Sequence, residues 1–222
     1  MKLELFDLGR MEYAAAYKLQ LQLVDERICA PEEHPDRLVL VEHNPVYTLG
    51  KYASGDDILL SAAQRKAQGI TVVQTDRGGQ VTYHGPGQIT GYPIVRLSTR
   101  KGHGVAWYVA RLEEVLIQTL AHFGLSGARD PINPGVWLGL DKVAAIGVRV
   151  RRQITMHGFA LNVRAELEHY RGIVPCGIKQ RGVTSMHEHV SGIQVDAVKT
   201  VLLDSFCSVF SYTDVAMGEK GG

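Results

Sequence analysis

The spacing of apolar residues predicts strands and helices that alternate from the start of the chain. Residues 3–8 alternate as a strand does, and a stripe with helical spacing then runs until Pro31 ends it. The positions of that stripe are Tyr17, Leu21, Val24 and Ile28. A longer stripe predicts a helix over residues 105–123, which Gly124 closes. Its core-facing positions are Tyr108, Leu112, Val115, Leu116 and Leu120.

Alternating positions predict short strands on both sides of this longer helix. Residues 61–68 are predicted to form a short helix closed by Gly69, and residues 77–96 to form two strands around a tight loop at 84–88. Further strands are predicted at residues 37–41, 47–49, 70–74, 135–138, 143–150 and 154–163. A last helix is predicted over residues 195–210, with inward positions Val198, Val201, Leu202, Phe206 and Val209.

This order of elements predicts an α+β fold built on a mixed α/β sheet. We expect one domain over residues 1–217, with a main sheet part over residues 1–170, a small C-terminal subdomain over 171–217 and a disordered tail at 218–222. The chain has 222 residues, of which 45% are apolar and 21% charged. It is therefore long enough to bury a sizeable core, and its composition is neither that of a disordered chain nor that of a disulfide scaffold.

The charge balance excludes a general affinity for polyanions. Lys and Arg number 24 against 23 Asp and Glu, a net charge of +1, so neither nucleic acid nor a membrane is expected as a partner. Arg149, Arg151 and Arg152 form a local basic group that suits an acidic partner protein or is simply a solvated strand end. Glu4 and Asp7 stand where a signal peptide would need an apolar run, and no long apolar stretch follows.

Three widely spaced cysteines favour a reducing, cytoplasmic location. Cys29 and Cys207 fall at the end of, or within, predicted helices, where packing explains them. Cys176 lies between Pro175, which fixes the backbone, and Gly177, which leaves room for a carbonyl to approach the sulfur. This setting suits a nucleophile, although a free cysteine can equally be a small buried hydrophobic residue.

A cysteine nucleophile needs a neighbour that promotes its ionisation. The ordinary thiol pKa of about 8.5 leaves few thiolates at neutral pH without a nearby base or cation. Lys142 starts an apolar strand, where a partly buried ammonium would lower the thiol pKa and release its own proton readily. The alternative is a solvated lysine at a strand end. The other candidates are His34, His43, His84, His103, His122, His157, His169, His187 and His189.

Glycine-rich backbone is the third candidate feature. Five glycines within residues 77–91 would let a ligand lie against backbone N–H groups, or else allow a hairpin turn with positive φ. Their spacing fits neither a dinucleotide fold nor a P-loop. The run His187-Glu188-His189 lacks the spacing of a zinc site, so neither metal nor cofactor is expected.

Five ordered segments closely resemble the octanoyltransferases of lipoate synthesis. They are residues 42–48 (EHNPVYT), 77–88 (RGGQVTYHGPGQ), 142–147 (KVAAIG), 157–162 (HGFALN) and the pair formed by Pro175-Cys176-Gly177 and Thr184-Ser185-Met186. The likeness covers residues 3–210, and the second segment is much more specific than a single glycine pattern. This chain departs at Gln180, where the family often has an acid, and at Asp141, where it often has arginine or another polar residue. Both departures concern the cover over Cys176 and not the reaction.

The resemblance implies the catalytic domain shared with lipoate and biotin protein ligases. It implies transfer of an octanoyl group from octanoyl-acyl carrier protein to a lipoyl-domain lysine, with Cys176 as the nucleophile and Lys142 lowering its pKa and moving protons. The acceptors would be lipoyl domains of 2-oxoacid dehydrogenase complexes and the glycine cleavage H protein. A thioester donor needs no ATP, and we expect a monomer.

The resemblance also implies an acyl pocket. Its residues would be Arg77, Gly78, Gly79, Gln80, Val81, Thr82, Tyr83, His84, Ala145, Ile146, Gly147, Gly158, Phe159 and Ala160. Among them, His84 is expected to position other groups or donate a hydrogen bond rather than to act as the base.

Other functions stay open at this point. An ATP-dependent lipoate-protein ligase would activate free acid and need no cysteine, so replacement of Cys176 separates it from a transferase. An octanoyl amidotransferase would use the same cysteine and lysine with another donor. A non-catalytic acyl-protein binding module would form no covalent adduct. A thiol hydrolase is less attractive because it would waste the acyl group on water.

Overall fold

A computed structural model describes residues 1–97, 103–174 and 181–218. The strands are β1 (Lys2–Met11), β2 (Asp36–His43), β3 (Val46–Leu49), β4 (Thr71–Gln74), β5 (Val81–His84), β6 (Gln88–Ile94), β7 (Ala128–Arg129), β8 (Gly135–Leu138), β9 (Asp141–Arg151), β10 (Ile154–Asn162) and β11 (Asp214–Met217). The α-helices are α1 (Tyr13–Cys29), α2 (Ala62–Ala67), α3 (Val105–His122) and α4 (Val195–Phe210). Every predicted helix and strand is present; β7 and β11, which the pattern does not predict, are short and largely exposed.

Within the described residues, eight strands form one sheet in the order β11-β1-β2-β6-β10-β9-β8-β7. β1 is parallel to β2 and β11, whereas the other neighbours are antiparallel. A second sheet has the order β4-β3-β5. This arrangement confirms the predicted α+β class with a mixed sheet.

Helices cover both faces of the large sheet. α3 and α4 pack on one face, where the five predicted core positions of α3 are all fully buried. α1 packs on the other face. Its core side differs from the predicted stripe: Tyr13, Ala16, Gln20, Leu23 and Val24 are buried, and the other stripe residues lie at the border. The pattern misses this face because Gln20 is polar, yet its side chain accepts a hydrogen bond from the backbone of β10.

The two strands predicted within residues 77–96 belong to different sheets. β5 pairs with β3 in the small sheet, and β6 pairs with β2 and β10 in the large one. The chain turns between them at residues 85–87. Gly87 has φ +75°, and a Cβ there would lie 2.3 Å from the carbonyl oxygen of Arg164, so the corner needs glycine. This corner brings the small sheet beside β9 and β10.

The C-terminal elements share the core and the sheet of the preceding residues. Val198, Leu202 and Phe206 of α4 belong to the same buried cluster as α3, and β11 extends the large sheet beside β1. The packing of α4 and β11 does not separate these elements from the large sheet. The predicted division of the chain at residue 170 stays a prediction. Among the described helices, none combines the length and apolar character needed to cross a membrane.

Candidate active site

A cavity of about 640 Å³ lies between β9, β10 and the loop that leads into β5. Three of the segments singled out in the sequence meet here, although they are up to 83 positions apart (residues 77–84, 145–147 and 158–160). The predicted residues that line it are Arg77, Gly78, Gly79, Gln80, Val81, Thr82, His84, Lys142, Ala145, Ile146, Gly147, Gly158, Phe159 and Ala160. Tyr83 does not line it: it points to the other side of β5, where its hydroxyl bonds with His169 Nδ1 at 2.8 Å.

Small residues leave the space for this cavity. Antiparallel pairing places Ala145 opposite Ala160 and Gly147 opposite Gly158. A Cβ on Gly147 would come within 2.8 Å of the carbonyl oxygen of Gly78, so the loop before β5 can approach β9 only because no side chain intervenes. The backbone N–H of Gly78 also donates to the carbonyl of Val148, at 3.1 Å, and ties the loop to the strand.

Arg77 anchors this loop through a network of buried hydrogen bonds. Its Nε and Nη2 donate to the hydroxyl of Thr48, at 3.2 and 2.9 Å, and Nη2 also donates to the carbonyl oxygen of Thr48, at 2.6 Å. Its Nη1 donates to the carbonyl oxygen of Gly78 at 3.0 Å. Since both Arg77 and Thr48 are buried, these bonds fix the position of the two glycines that line the cavity.

His84 is a neutral member of the same network. The Nδ1–H donates to Gln88 Oε1 at 2.7 Å, because a carbonyl oxygen can only accept, and Nε2 lies 3.3 Å from the Thr48 hydroxyl. Burial lowers the pKa of His84 well below its ordinary value, and the positive charge of Arg77 acts in the same direction. Both ring nitrogens of His84 are thus engaged by Gln88 and Thr48, and its expected role as a positioning residue stays a prediction.

Two further residues around this network, Tyr13 and Tyr92, carry no sequence signal of a site. Tyr13 of α1 stacks on the ring of His84, and Tyr92 of β6 donates its hydroxyl to His43 Nε2 at 2.7 Å. Both tyrosines line the cavity. Burial lowers the pKa of His43 to about 4, so it is neutral at pH 7. The sequence shows these tyrosines only as aromatic residues at apolar positions.

A second polar group at the cavity wall joins the candidate His157 to Asp76, which sequence reasoning missed. His157 has φ +55° within β10 and its Nε2 bonds with Asp76 Oδ1 at 2.7 Å. Tyr17 donates to the other carboxylate oxygen at 3.0 Å, and Arg149 forms an ion pair with the same carboxylate. Burial, with the charges of Arg77 and Arg149, lowers the pKa of His157 to about 3. Neutral His157 therefore donates from Nε2 to Asp76, which fixes its tautomer.

Lys142 also lines the cavity and is buried, unlike a solvated strand-end lysine. Its Nζ donates to the carbonyl oxygen of Pro134 at 3.3 Å and lies 4.8 Å from the ring centroid of Trp137. The guanidinium of Arg181 lies 4.0 Å from the same centroid. An ammonium at Lys142 is thus held by a carbonyl dipole and an aromatic face.

Cys176 and Gln180 lie outside the described residues. The chain on either side of them is attached near the cavity: Val174 donates its N–H to the carbonyl of Asp57 at 2.8 Å, and the backbone of Lys142 bonds with residues 182 and 184. The Asp141 carboxylate accepts the N–H of residue 182 at 2.9 Å. Residue 174 thus lies beside Asp57, and residues 182–184 lie beside the start of β9.

Several of the remaining candidates make structural contacts among the described residues. Glu188 bonds with the Thr184 hydroxyl at 2.6 Å and completes a helix cap with Ser185. Of the predicted basic group, Arg149 and Arg151 form ion pairs with Asp76 and Asp25. Cys207 packs against the core, but Cys29 is exposed, so packing does not explain Cys29.

The family model described as "Lipoyl protein ligase A/B catalytic domain" matches residues 12–207. The octanoyltransferase of Alkaliphilus metalliredigens is 47% identical over 96% of this chain and 97% of its own length. That of Gloeobacter violaceus is 44% identical over 93% of this chain and 89% of its own length.

Solved structures show the same fold at low identity. A bipartite lipoate protein ligase from Thermoplasma acidophilum is 16% identical with a TM-score of 0.75, covering 99% of this chain and 87% of that one. A biotin protein ligase from Aquifex aeolicus is 11% identical with a TM-score of 0.51, covering 94% of this chain and 70% of that one. From the family match, and from relatives above 40% identity over nearly the whole chain, this protein belongs to the octanoyltransferases of the lipoyl protein ligase A/B catalytic-domain family.

Proposed function

We propose that this enzyme moves an octanoyl group from octanoyl-acyl carrier protein to the lysine of a lipoyl domain through a thioester on Cys176. The observation that carries the proposal is the cavity itself: a slot whose lining includes Ala145, Gly147, Gly158 and Ala160 together with the buried Lys142. Gly182 and Thr184, which follow Cys176 in the sequence, bond with the backbone of Lys142. A cavity of this size with apolar walls fits an acyl chain, and its lining includes the amine that the chemistry needs.

In the first half-reaction, the Cys176 thiolate attacks the thioester carbon of the donor. The carrier's thiolate leaves with the electron pair of its C–S bond and takes a proton, so one thioester replaces another of similar energy. In this proposal the Lys142 ammonium favours the thiolate and supplies the proton.

In the second half-reaction, the amine of the acceptor lysine attacks the Cys176 thioester. Lys142, now neutral, takes the proton that the attacking amine loses, while the Cys176 sulfur leaves. The amide product is more stable than the thioester, which makes the transfer irreversible. No nucleotide is required because the donor is already activated.

Acceptors are the lipoyl domains of 2-oxoacid dehydrogenase complexes and the glycine cleavage H protein, and the enzyme acts as a monomer in the cytoplasm. The interpretation of the three cysteines as thiols of a reducing compartment supports the cytoplasmic location. The slot supports an acyl donor; the acceptors follow from the family.

The test is intact-protein mass spectrometry after mixing the enzyme with octanoyl-acyl carrier protein, before and after a lipoyl domain is added. We expect a hydroxylamine-labile octanoyl adduct that the domain discharges. Cys176→Ser should abolish the adduct, whereas the matched control Cys207→Ser should keep it. A no-acceptor control measures hydrolysis.

Other outcomes would contradict the proposal. An acylated domain that requires ATP and free octanoate would mean a ligase, and no adduct with no acylated domain would mean a binding module. Lys142→Ala should slow both half-reactions in single-turnover experiments, and unchanged rates would remove the lysine from the mechanism.

A further inference from the structure

One peptide group connects a buried carboxylate with Lys142. The N–H of Gly135 donates to Glu113 Oε1 at 3.1 Å, and the carbonyl oxygen of Pro134 accepts from Lys142 Nζ at 3.3 Å. These two atoms belong to the same peptide bond, and in a trans peptide the N–H and C=O point in opposite directions. Glu113 and Lys142 thus lie on opposite sides of a single dipole whose positive end faces the carboxylate.

Glu113 is an unexpected residue at its position. It follows the core residue Leu112 in α3 and precedes the core residues Val115 and Leu116. Its side chain is only 9% exposed. A buried carboxylate is costly unless it is paired. Its described partners are the Gly135 N–H and Arg129, whose Nε lies 3.3 Å from Oε2. Because Arg129 is 45% exposed, solvent screens its charge more than that of Glu113.

Glycine is required at position 135 for this arrangement. Gly135 has φ +134°, and a Cβ there would lie 2.4 Å from the carbonyl oxygen of Ala144. The same imagined Cβ would lie 3.5 Å from Lys142 Cε, so the lysine side chain passes directly over this glycine. The backbone geometry therefore sets both the direction of the peptide and the path of the lysine.

We propose that Glu113 is a positioning residue for Lys142: through the peptide between Pro134 and Gly135, it holds the Lys142 amine in place and stabilises its protonated form. This inference rests on the proposed role of Lys142 in the acyl transfer. Its carboxylate orients the peptide so that the carbonyl oxygen faces Nζ, and its negative charge favours the ammonium that in turn favours the Cys176 thiolate.

Other charged groups also face Lys142. Arg181 shares the Trp137 ring with it, and Asp130 forms an ion pair with Arg181. Asp141 precedes it on β9, where its carboxylate accepts a backbone N–H. Arg181 and Asp130 offset each other as an ion pair, and among the described residues the charge of Glu113 is connected with Nζ through hydrogen bonds.

The chain offers a matched control at the next position. Glu114 also pairs with Arg129, through Oε2 and Nη2 at 2.5 Å, but it makes no bond to the peptide at Gly135. Glu113→Gln and Glu114→Gln therefore remove the same charge from the same arginine. Only the first alters the carboxylate that the peptide connects to Lys142.

The experiment measures the rate at which iodoacetamide alkylates Cys176 as a function of pH, by peptide mass spectrometry of the whole protein. The carboxylate lies about 9 Å from Nζ along this path, and at an effective dielectric of about 20 its loss changes the protonation equilibrium roughly tenfold, given the offset by Arg129. Since the thiolate loses this support only in molecules whose Lys142 has lost its proton, we expect Glu113→Gln to slow alkylation most, by up to about tenfold, in the pH range over which Lys142 titrates, and to move the profile to higher pH. Glu114→Gln should stay within about twofold of the wild type.

A double-mutant comparison separates this inference from the proposed function. Lys142→Met should move the profile to higher pH, and adding Glu113→Gln to it should change nothing further. If Lys142→Met moves the profile but Glu113→Gln behaves as Glu114→Gln does, the positioning role of Glu113 is refuted. The proposed cysteine–lysine pair would then stand. If Lys142→Met leaves the profile unchanged, the proposed role of Lys142 fails.

The protonation of Lys142 can also be measured directly. The titration of Lys142 can be followed by NMR of its labelled Cε in the Cys176→Ser protein, with the signal assigned by its loss in Lys142→Arg. Glu113→Gln should move the midpoint to lower pH, and an unchanged midpoint would overturn the inference. Glu113→Asp keeps the charge but shortens the side chain. It serves as a second variant if the Glu113→Gln protein does not fold.

Discussion

The buried hydroxyl of Thr48 provides a sharp test of the network beneath the cavity. Thr48→Val keeps the shape of the side chain and removes the acceptor for two Arg77 donors, at 3.2 and 2.9 Å, and the contact with His84 Nε2 at 3.3 Å. Hydrogen bonds to a charged group contribute about 1.5–3 kcal/mol each, and a buried group left without a partner costs about 1–3 kcal/mol. Arg77 keeps its bonds to the carbonyls of Thr48 and Gly78.

We therefore expect Thr48→Val to lower the free energy of unfolding by about 3 kcal/mol, which for a chain of this size lowers Tm by about 6–12 °C. Equilibrium unfolding in urea measures the loss. The same substitution at Thr71, an exposed residue whose hydroxyl lies 3.4 Å from the carbonyl of Pro45, should change stability by less than about 0.5 kcal/mol.

Activity gives a second measurement on the same variant. If Arg77 holds the loop that lines the slot, the KM for the octanoyl donor should rise in Thr48→Val while Lys142 and Cys176 keep their chemistry. A loss of stability below 1 kcal/mol, equal to that of Thr71→Val, together with an unchanged KM, would refute the role assigned to this network.

Three further predictions concern the slot, the histidines and the core. Ala145→Leu should crowd the acyl slot and favour hexanoyl over octanoyl donors by about tenfold, since each buried methylene contributes about 0.8 kcal/mol; an unaltered ratio of kcat/KM values would contradict this. His43 and His157 have pKa values of about 4 and about 3 when folded, so the unfolded chain takes up their protons first as pH falls below about 6.5, and stability is lost. His43→Gln should reduce the loss between pH 6 and pH 5 by about 1 kcal/mol, and an equal pH slope in urea unfolding would count against the buried neutral ring. Leu116→Ala should cost about 2–5 kcal/mol because Leu116 is fully buried under the large sheet, and a loss no greater than that of the exposed Leu140→Ala would show that the site collapses around the gap.

Local pattern predicts the long elements of this protein well. α3 is recognisable because its apolar residues repeat with the period of a helix, and all five predicted positions are buried. β9 and β10 are recognisable because a turn joins two alternating runs that pair with each other along the chain. In both cases the contacts that decide the structure are close in sequence, so the order of residues records them.

Motifs predict which segments form the site, but not how its polar groups are connected. The three predicted segments of the slot do meet at one cavity. This prediction came from the resemblance of the three segments to the octanoyltransferases. Tyr83 is the exception, because alternation along β5 turns it away from its neighbours Thr82 and His84.

The sequence by itself thus determined the α+β elements, the family and the segments around the slot. Tertiary structure alone decided that β5 and β6 separate into two sheets, that Asp76 meets His157 across 81 positions, and that Glu113 faces Lys142 through one peptide. The physical reason is that apolar periodicity reports only which side of an element is buried. Contacts between polar groups far apart in the chain depend on strand register, corner geometry and burial together, and these exist only once the whole sheet has formed.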